Sequence, residues 1–386
     1  MNHKTFIISI ISLFILNCCQ SPSSEQERSG EIIKAEIVST NPLNELEQVD
    51  NLLLELAEKP QRLTAPSDKE TILTGAKGTI MHVDPNRLEI VDGSTFGDNI
   101  EVELLEMTDN SSLLLNNAQT VSNGQILITG GAYYVNMTSD GKQLRLKQGM
   151  ALELEFPKFT EDEMGLFIGE RDSLGQINWI QTESNFKSKK IEDAKEPENP
   201  SKKKAVLTEV TIIPLGEDNF DTTVAVLKKV NREDVTEEEY QEYLIKLQEY
   251  EELKKEIEYQ RQTYQAIKLM NFGWINCDRF YTDPNPKTDI QLLVNKDSLH
   301  AARFFAVFKD IRSVVTEYFY KGRREAPTFR NIPSGKELTI IAISGSNDSP
   351  YVFETTINTK TDQQVKIEFK ATTQAELKEK IKRLNS

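Results

Sequence analysis

The centre of the β-rich region of this chain reads Gln125-Ile126-Leu127-Ile128-Thr129-Gly130-Gly131-Ala132-Tyr133-Tyr134-Val135-Asn136-Met137. From about Thr71 to Gln181, apolar residues recur with a period of two, which is the pattern of half-buried strands. Turn signals separate these runs, at Asp92-Gly93, Asn123-Gly124, Asp140-Gly141, Gln148-Gly149 and Leu174-Gly175. The sequence therefore predicts an antiparallel β-sandwich over residues 71–185.

The paired glycines Gly130 and Gly131 interrupt the longest of these runs. Glycines inside a strand pattern are most simply explained by a β-bulge, which would here bend one strand across two sheets. A phosphate-binding loop is the alternative, but no helix-forming segment and no adjacent Lys-Ser/Thr pair follow the glycines. We therefore predict a bulge.

A second period-two region extends from residue 289 to residue 370 and includes Val365-Lys366-Ile367-Glu368-Phe369. It is followed by a short helical pattern from about Gln374 to Leu384, with Leu377 and Ile381 on one side. We predict a second antiparallel β-sandwich over residues 272–386, closed by this C-terminal helix.

An amphipathic helix precedes the first sandwich. Spacings of three and four define an apolar face over about 42–59, formed by Leu43, Leu46, Val49, Leu52, Leu53 and Leu56. Asn41 is placed to cap this helix ahead of Pro42. Residues 42–70 are thus predicted to form the helix and its connection to the sandwich.

A longer helix is predicted between the two sandwiches. Thr236 and Glu239 form a capping box, and the apolar stripe that follows contains Tyr240, Tyr243, Leu244, Leu247, Tyr250, Leu253 and Ile257. The helix is expected to reach about Leu269 and to join the sandwiches, whereas Lys254 and Arg261 interrupt the heptad pattern that a dimeric coiled coil would need. Residues 206–271 are predicted to hold a β-hairpin and this helix, after a charged linker or loop over 186–205. The expected fold is mainly β, with two sandwiches joined by an amphipathic helix.

The N-terminus carries a targeting pattern. Lys4 is followed by an apolar run from Phe6 to Leu16, which is shorter than the ~20 residues that cross a bilayer core. Ile15-Leu16-Asn17-Cys18 resembles the lipobox of bacterial lipoproteins, in which the cysteine is acylated after cleavage, although that family prefers a small residue where Asn17 stands. The resemblance implies a signal peptide over 1–17, acylation of Cys18 (with Cys19 as the alternative) and a polar tether over 18–41. The protein is therefore expected in the cell envelope, anchored to the outer membrane. Whether it lies on the periplasmic face or on the cell-surface face is left open.

Several segments of the first sandwich resemble a family of bacterial envelope lipoproteins, whose β-sandwich is distantly similar to that of ankyrins and netrin receptors. The segments are Lys77-Gly78-Thr79-Ile80, Asn99 to Glu106, Thr120 to Gly124, Thr129-Gly130-Gly131, Leu144-Arg145-Leu146 and Phe156-Pro157. Residues 329–340 are similar to a turn and strand of transthyretin-like or carboxypeptidase-regulatory sandwiches. Some relatives of the wider sandwich family cleave themselves at His-Phe-Ser, but His82 is followed by Val83 and His300 by Ala301, so this activity is not implied.

The charge balance and the cysteine content narrow the class of protein. The chain has 61 acidic and 46 basic residues, with a formal net charge of −15. An acidic surface argues against nucleic-acid partners and against docking on anionic headgroups. The three cysteines, Cys18, Cys19 and Cys277, form no disulfide framework, so packed cores must stabilise the fold.

The stretch Phe272 to Tyr281 combines aromatic residues with a cysteine. Trp274, Cys277, Asp278 and Arg279 are interpreted as a structural core motif that opens the second sandwich. A reactive thiol beside a cation is the alternative, since a nearby positive charge lowers a thiol pKa. A cysteine nucleophile usually needs a base as well, and neither His82 nor His300 is close in sequence.

Motifs for catalysis, metal binding or cofactor binding were not found. The chain has no Gly-x-Ser-x-Gly elbow, no His-Glu-x-x-His and no Cys-x-x-Cys pair, and Glu161-Asp162-Glu163 lacks calcium-loop spacing. No catalytic residue, metal ligand or cofactor is predicted. We interpret the chain as a non-catalytic lipid-anchored module of a Gram-negative envelope that binds or scaffolds an envelope protein or a glycan. The alternative is an envelope hydrolase with an acidic site; the oligomeric state is left open.

The predicted anchor can be tested by metabolic labelling with a clickable palmitate. The mature protein is expected to incorporate the label and to partition with membranes, because two or three acyl chains bind a bilayer stably. Cys18→Ala is expected to abolish both maturation and labelling, with Cys19→Ala as the matched control. A Cys18→Ala protein that still matures and stays with the membrane fraction would contradict the assignment.

Overall fold

The computed structural model describes residues 42–200, 207–213, 225–230 and 235–385, and Thr40–Ser386 form one compact unit. The predicted signal peptide and tether, the cap Asn41, and the cysteines Cys18 and Cys19 lie outside the described residues.

The described part of the chain is mainly β. Its helices are α1 (Pro42–Leu56), α2 (Asn110–Leu115), α3 (Glu237–Arg261) and α4 (Gln374–Lys382). The strands up to the long helix are β1 (Gln61–Pro66), β2 (Thr71–Thr74), β3 (Ile80–Val83), β4 (Leu88–Ile90), β5 (Asn99–Met107), β6 (Val121–Ser122), β7 (Gln125–Ser139), β8 (Lys142–Leu146), β9 (Leu152–Glu155), β10 (Gly165–Arg171), β11 (Ile177–Asn185), β12 (Leu207–Ile213) and β13 (Ala225–Val230). The strands that follow are β14 (Ile267–Leu269), β15 (Gly273–Phe280), β16 (Lys287–Leu293), β17 (Ala301–Phe308), β18 (Val314–Tyr320), β19 (Thr328–Pro333), β20 (Glu337–Ser346), β21 (Ser349–Asn358), β22 (Gln363–Lys366) and β23 (Lys370–Ala371).

These strands form five sheets, in which every described pairing but one is antiparallel. A nine-stranded sheet has the order β1-β5-β7-β15-β10-β11 with β4, β6 and β8 attached, and a four-stranded sheet has the order β14-β9-β3-β2. A five-stranded sheet has the order β18-β17-β20-β21-β23, a three-stranded sheet has the order β19-β16-β22, and β12 pairs with β13. The parallel pair is β16 with β22.

The nine-stranded and four-stranded sheets enclose the first core, which is formed by alternate side chains of both sheets. Val102 and Val135 enter it from the larger sheet, and Met81 and Leu154 from the smaller one. Between β7 and β15, Gly130 and Gly131 lie opposite the single residue Cys277, since Thr129 faces Asp278 and Ala132 faces Asn276. The predicted bulge is therefore present, but β7 stays within one sheet.

The other face of the nine-stranded sheet packs on a middle core, which it shares with the five-stranded sheet. Helix α1 lies in this core and buries Leu46, Val49, Leu52, Leu53 and Leu56, while its predicted face residue Leu43 is 44% exposed. Side chains of α2 and α4 join the same core. The three short helices thus pack between sheets and are not appended to the ends of sandwiches.

The five-stranded and three-stranded sheets enclose the second core. Successive side chains of β17 point to opposite faces of the sheet: Phe305 enters the middle core and Phe304 enters the second core. All eight residues of β17 are buried, as expected for a central strand covered on both faces.

A buried ion pair holds α1 against the five-stranded sheet. The side chain of Arg303 on β17 has no exposed surface, and its Nε and Nη2 each donate to a carboxylate oxygen of Asp50 on α1, at 2.7 Å. Nη2 also donates to the carbonyl of Leu174, in the turn between β10 and β11. One side chain therefore connects an N-terminal helix, a turn of the nine-stranded sheet and a strand of the second half of the chain.

Strand β15, which was predicted to open the second sandwich, belongs instead to the nine-stranded sheet. Strand β15 pairs with β7 on one side and β10 on the other, so it is a central strand of the nine-stranded sheet. Its residues alternate between the first core, which receives Ile275 and Cys277, and the middle core, against which Trp274 and Phe280 pack. Apolar residues on both faces give no signal of which sheet the strand joins, which explains the difference from the prediction.

The long helix differs from its prediction in length and in packing. The capping box of Thr236 and Glu239 is present, but α3 ends at Arg261 and none of its residues is buried. Beyond the helix, Tyr264 enters the first core and β14 pairs with β9, so tertiary contacts end the helical run. Pairs four residues apart, such as Lys246 with Glu242, stabilise α3 along its surface.

The charged segment after the first sandwich also begins as packed structure. Phe186 is buried in the first core, where its ring lies 5.8 Å from that of Phe156 and 5.1 Å from that of Tyr264. Lys189 Nζ lies 2.6 Å from a carboxylate oxygen of Glu155. The first residues assigned to a linker or loop thus belong to the first sheet pair.

Asp50→Asn is expected to lower the free energy of unfolding by about 3 kcal/mol, because it leaves the Arg303 guanidinium buried beside a neutral amide. Urea denaturation measures this change. The double variant Asp50→Leu/Arg303→Met should recover most of the loss, since an apolar pair removes the unpaired charge.

Glu242→Gln is the matched control, because it breaks an ion pair whose two side chains are more than half exposed. It should change the free energy of unfolding by less than about 0.5 kcal/mol. An equal loss in Asp50→Asn and Glu242→Gln would show that the buried pair does not hold α1.

Candidate functional site

The sequence-predicted motif around Cys277 is spread over both faces of β15. Trp274 packs toward the middle core, with its ring 4.8 Å from that of Tyr134 and 4.2 Å from the Arg171 guanidinium. Arg279 lies near the surface, where Nη2 is 2.8 Å from Asp162. The four residues Trp274, Cys277, Asp278 and Arg279 therefore do not converge on one site.

The Cys277 thiol faces the first core and has no exposed surface. Burial raises its pKa well above the ordinary value. Only a thiolate is a good nucleophile, so this cysteine has the properties of a small apolar core residue.

Asp278 belongs to a buried polar chain on the opposite face of the strand. Its Oδ2 accepts a hydrogen bond from Asn276 Nδ2 at 2.6 Å, and Asn276 Oδ1 accepts one from Thr129 Oγ1 at 2.9 Å. Asp278 Oδ1 is buried without a partner among the described residues. Burial raises the pKa of this carboxyl well above its usual range, so the neutral acid is favoured.

A groove at one end of the second core is the strongest candidate site. It has a volume of about 880 Å³ and lies between two connections, residues 294–300 and 367–369, each of which passes from the three-stranded to the five-stranded sheet. Ser344 and Gly345 of β20 and Glu45 of α1 also line it. Grooves of this size hold small ligands or short stretches of polymer.

The lining of the groove combines apolar walls with paired charges. Leu293 and Tyr351 are 41% and 42% exposed, and they stand beside Val294, Ile367 and Phe369. This leaves apolar surface accessible on a wall that a ligand could cover.

The charged groups of the groove lie in two pairs. His300 Nδ1 is 3.6 Å from Glu45 Oε1, and Lys366 Nζ is 2.6 Å from Glu368 Oε1. The hydrogen bond between Lys366 and Glu368 raises the pKa of the lysine and lowers that of the glutamate, so both stay charged. The Ser344 hydroxyl donates to the carbonyl of Ala301 at 2.6 Å. The groove therefore offers apolar contact and a few polar anchors.

Sequence reasoning did not identify this groove. Its residues come from four separate parts of the chain, near positions 45, 293–301, 344–351 and 366–369. Each part has the ordinary alternation of a strand or the composition of a turn, and no spacing connects them. The exposed Tyr351 within a period-two run is the one local signal that could have indicated a binding surface.

Two features are absent from the described residues. No group of three or more His, Cys, Asp or Glu residues among them is arranged to hold a metal ion. Within the same residues, no helix has the length and apolar character that crossing a membrane requires.

Comparisons with protein-family models, with curated proteins and with solved structures found no match to this chain.

The Asp278 carboxyl is expected to make stability depend on pH. Because its pKa is higher in the folded than in the unfolded chain, the folded state loses stability as the pH rises above the ordinary carboxyl pKa. Asp278→Asn mimics the neutral acid and removes this loss. Its gain in unfolding free energy over the unmodified chain should be larger at pH 8 than at pH 4, by about 1 kcal/mol or more.

Asp92→Asn provides a control of opposite sign, measured by the same urea denaturation. Hydrogen bonds from Ser94 lower the pKa of the exposed Asp92. The free energy of unfolding of this variant, relative to that of the unmodified chain, should therefore fall as the pH rises. A gain in Asp278→Asn that is the same at pH 4 and pH 8 would mean that the buried carboxyl is ionised in the folded chain.

Proposed function

We propose that this chain is a lipid-anchored, non-catalytic protein of a Gram-negative cell envelope, which binds an envelope protein or glycan in the groove beside Glu45 and Tyr351. The observation that carries the proposal is the groove itself, with about 880 Å³ of space and an accessible apolar wall. Binding sites typically have this combination of apolar lining and few polar groups.

The polar contacts of the groove support binding over catalysis. The titratable side chains pair with one another, His300 with Glu45 and Lys366 with Glu368. The Ser344 hydroxyl donates to a backbone carbonyl and not to a base, whereas an activated nucleophile is hydrogen-bonded to its base.

The position of the groove suits a protein held at a membrane. Glu45 lies on the first turn of α1, immediately after the predicted tether. A tether of residues 18–41 can span at most about 80 Å, so the groove would stay near the bilayer to which the acyl chains bind. A membrane-proximal site favours a partner within the envelope.

Photo-crosslinking in intact cells tests this function. With p-benzoylphenylalanine in place of Tyr351, the protein is expected to form discrete adducts with an envelope component. Leu293→Asp in the same background should reduce the adducts at least about tenfold, since it places a charge on the apolar wall.

Ile72 provides the matched control position, because it is 61% exposed on β2 and lies outside the groove. The same photoreactive residue at Ile72 should give no corresponding adduct. Adducts of equal yield from both positions, or none from Tyr351, would contradict binding in the groove.

A further inference from the structure

The second core is covered unequally by its two sheets. Three strands, β19, β16 and β22, lie against five, β18, β17, β20, β21 and β23. Among the described strands, β22 pairs with β16 alone, so its other edge is free. Lys366, the last residue of β22, lines the groove, so the end of this free edge reaches it.

The core-facing side chains of β21 show the effect of the shorter sheet. Tyr351 is 42% exposed, and Phe353 and Ile357 are only partly buried against the second core, as is Phe369 beyond β22. By contrast, Ile340 and Ala342 on the neighbouring β20 are fully buried. One more strand beside β22 would cover the apolar residues that the three-stranded sheet leaves accessible.

The backbone of β22 is arranged to accept such a strand. The amide of Ile367 donates to the carbonyl of Leu293 on β16, at 2.9 Å. Because hydrogen-bonding groups of successive residues point to opposite edges of a strand, the amides of Gln364 and Lys366 point away from β16. These amides give the free edge its donors, and an added strand would supply their acceptors.

We propose that the groove binds an extended peptide segment of a partner protein, which adds to the free edge of β22 as a further strand. Alternate apolar side chains of the peptide cover Tyr351 and Phe369, while its backbone pairs with Gln364 and Lys366. The proposal rests on the proposed function, because it takes the groove as the binding site, and it selects a peptide over a glycan.

The charge of the protein indicates the character of the peptide. The chain has a formal net charge of −15 with histidine counted as neutral. The groove is lined by Lys366 beside Glu368 and by Glu45 beside His300. A basic peptide complements the negative charge of the protein. The ligand class is therefore an extended segment with alternating apolar residues and lysine or arginine near its ends.

The test uses the purified lipoprotein in detergent micelles and a fluorescent seven-residue peptide, in which valine and threonine alternate between terminal lysines. Fluorescence anisotropy should show saturable binding, and hydrogen exchange should slow at Gln364 and Lys366. N-methylation of one alternate set of peptide amides should abolish binding, whereas methylation of the other set should not, because only one peptide edge faces β22.

A variant of the free edge isolates the backbone contribution. Lys366→Pro removes an amide that points away from β16 and should weaken binding three- to tenfold relative to Lys366→Ala, the effect of about one net hydrogen bond. Lys366→Ala accounts for the loss of the side-chain charge. Thermal denaturation establishes that both variants fold.

The outcomes separate this inference from the proposed function. Binding of envelope oligosaccharides that is lost in Tyr351→Ala, with no binding of the peptide, would overturn strand addition and leave the groove as a glycan site. Binding of neither class would overturn both. Concentration-dependent dimers in light scattering that disappear in Lys366→Pro would assign the free edge to a second copy of the chain. A peptide that binds only after deletion of residues 31–38 would assign the edge to the chain's own N-terminal segment. Either result would contradict binding of a partner's peptide.

Discussion

The burial of the Arg303 guanidinium against Asp50 is the contact on which the arrangement of the described chain depends. A guanidinium without exposed surface needs a carboxylate and further acceptors, because desolvation of an unpaired charge is costly. Asp50 on α1 and the carbonyl of Leu174 accept from Nε and Nη2, whereas Nη1 is buried without a partner among the described residues. The charge therefore fixes α1 and the turn between β10 and β11 at one position on β17, where nonspecific apolar packing would allow several.

This constraint explains why the two sheet pairs share a core and are not joined through an exposed linker. The middle core contains side chains of the nine-stranded sheet, the five-stranded sheet and the three short helices. The long helix α3 has no part in it: its side chains remain accessible, and Ile245 and Leu253 are 61% and 52% exposed. A helix that is polar around most of its surface is stabilised by its cap and by pairs along its own length, so it can project from a core that others build.

The same arrangement leaves the groove open. Helix α1 covers one face of the five-stranded sheet, and the three-stranded sheet covers only part of the other, so the end of β21 keeps apolar side chains at the surface. The groove is therefore a consequence of unequal strand numbers in two sheets. Its lining residues acquire a common environment only when both connections between the sheets are in place.

Much of the local structure could be predicted from the sequence. The period of two, the turn dipeptides and the capping box of Thr236 are short-range signals, and they correctly predicted a mainly β chain, the bulge at Gly130-Gly131 and the start of α3. The assignment of β15 failed because a strand buried on both faces carries no signal of its neighbours. The predicted end of α3 was wrong because burial of Tyr264 in the first core stabilises the chain more than continuing a solvent-exposed helix would.

By itself, the amino-acid sequence determined most of the strand and turn pattern, the starts of the helices, the acidic charge and the signal that predicts a lipid anchor, since these local signals depend on residues close together in the chain. Only the tertiary structure decided which sheet each strand joins, that α1 lies between sheets, and that Glu45, Leu293, Tyr351 and Lys366 line one groove. The physical reason is that these features depend on tertiary contacts between residues that are tens to hundreds of positions apart. Such contacts leave no periodic trace in a single sequence.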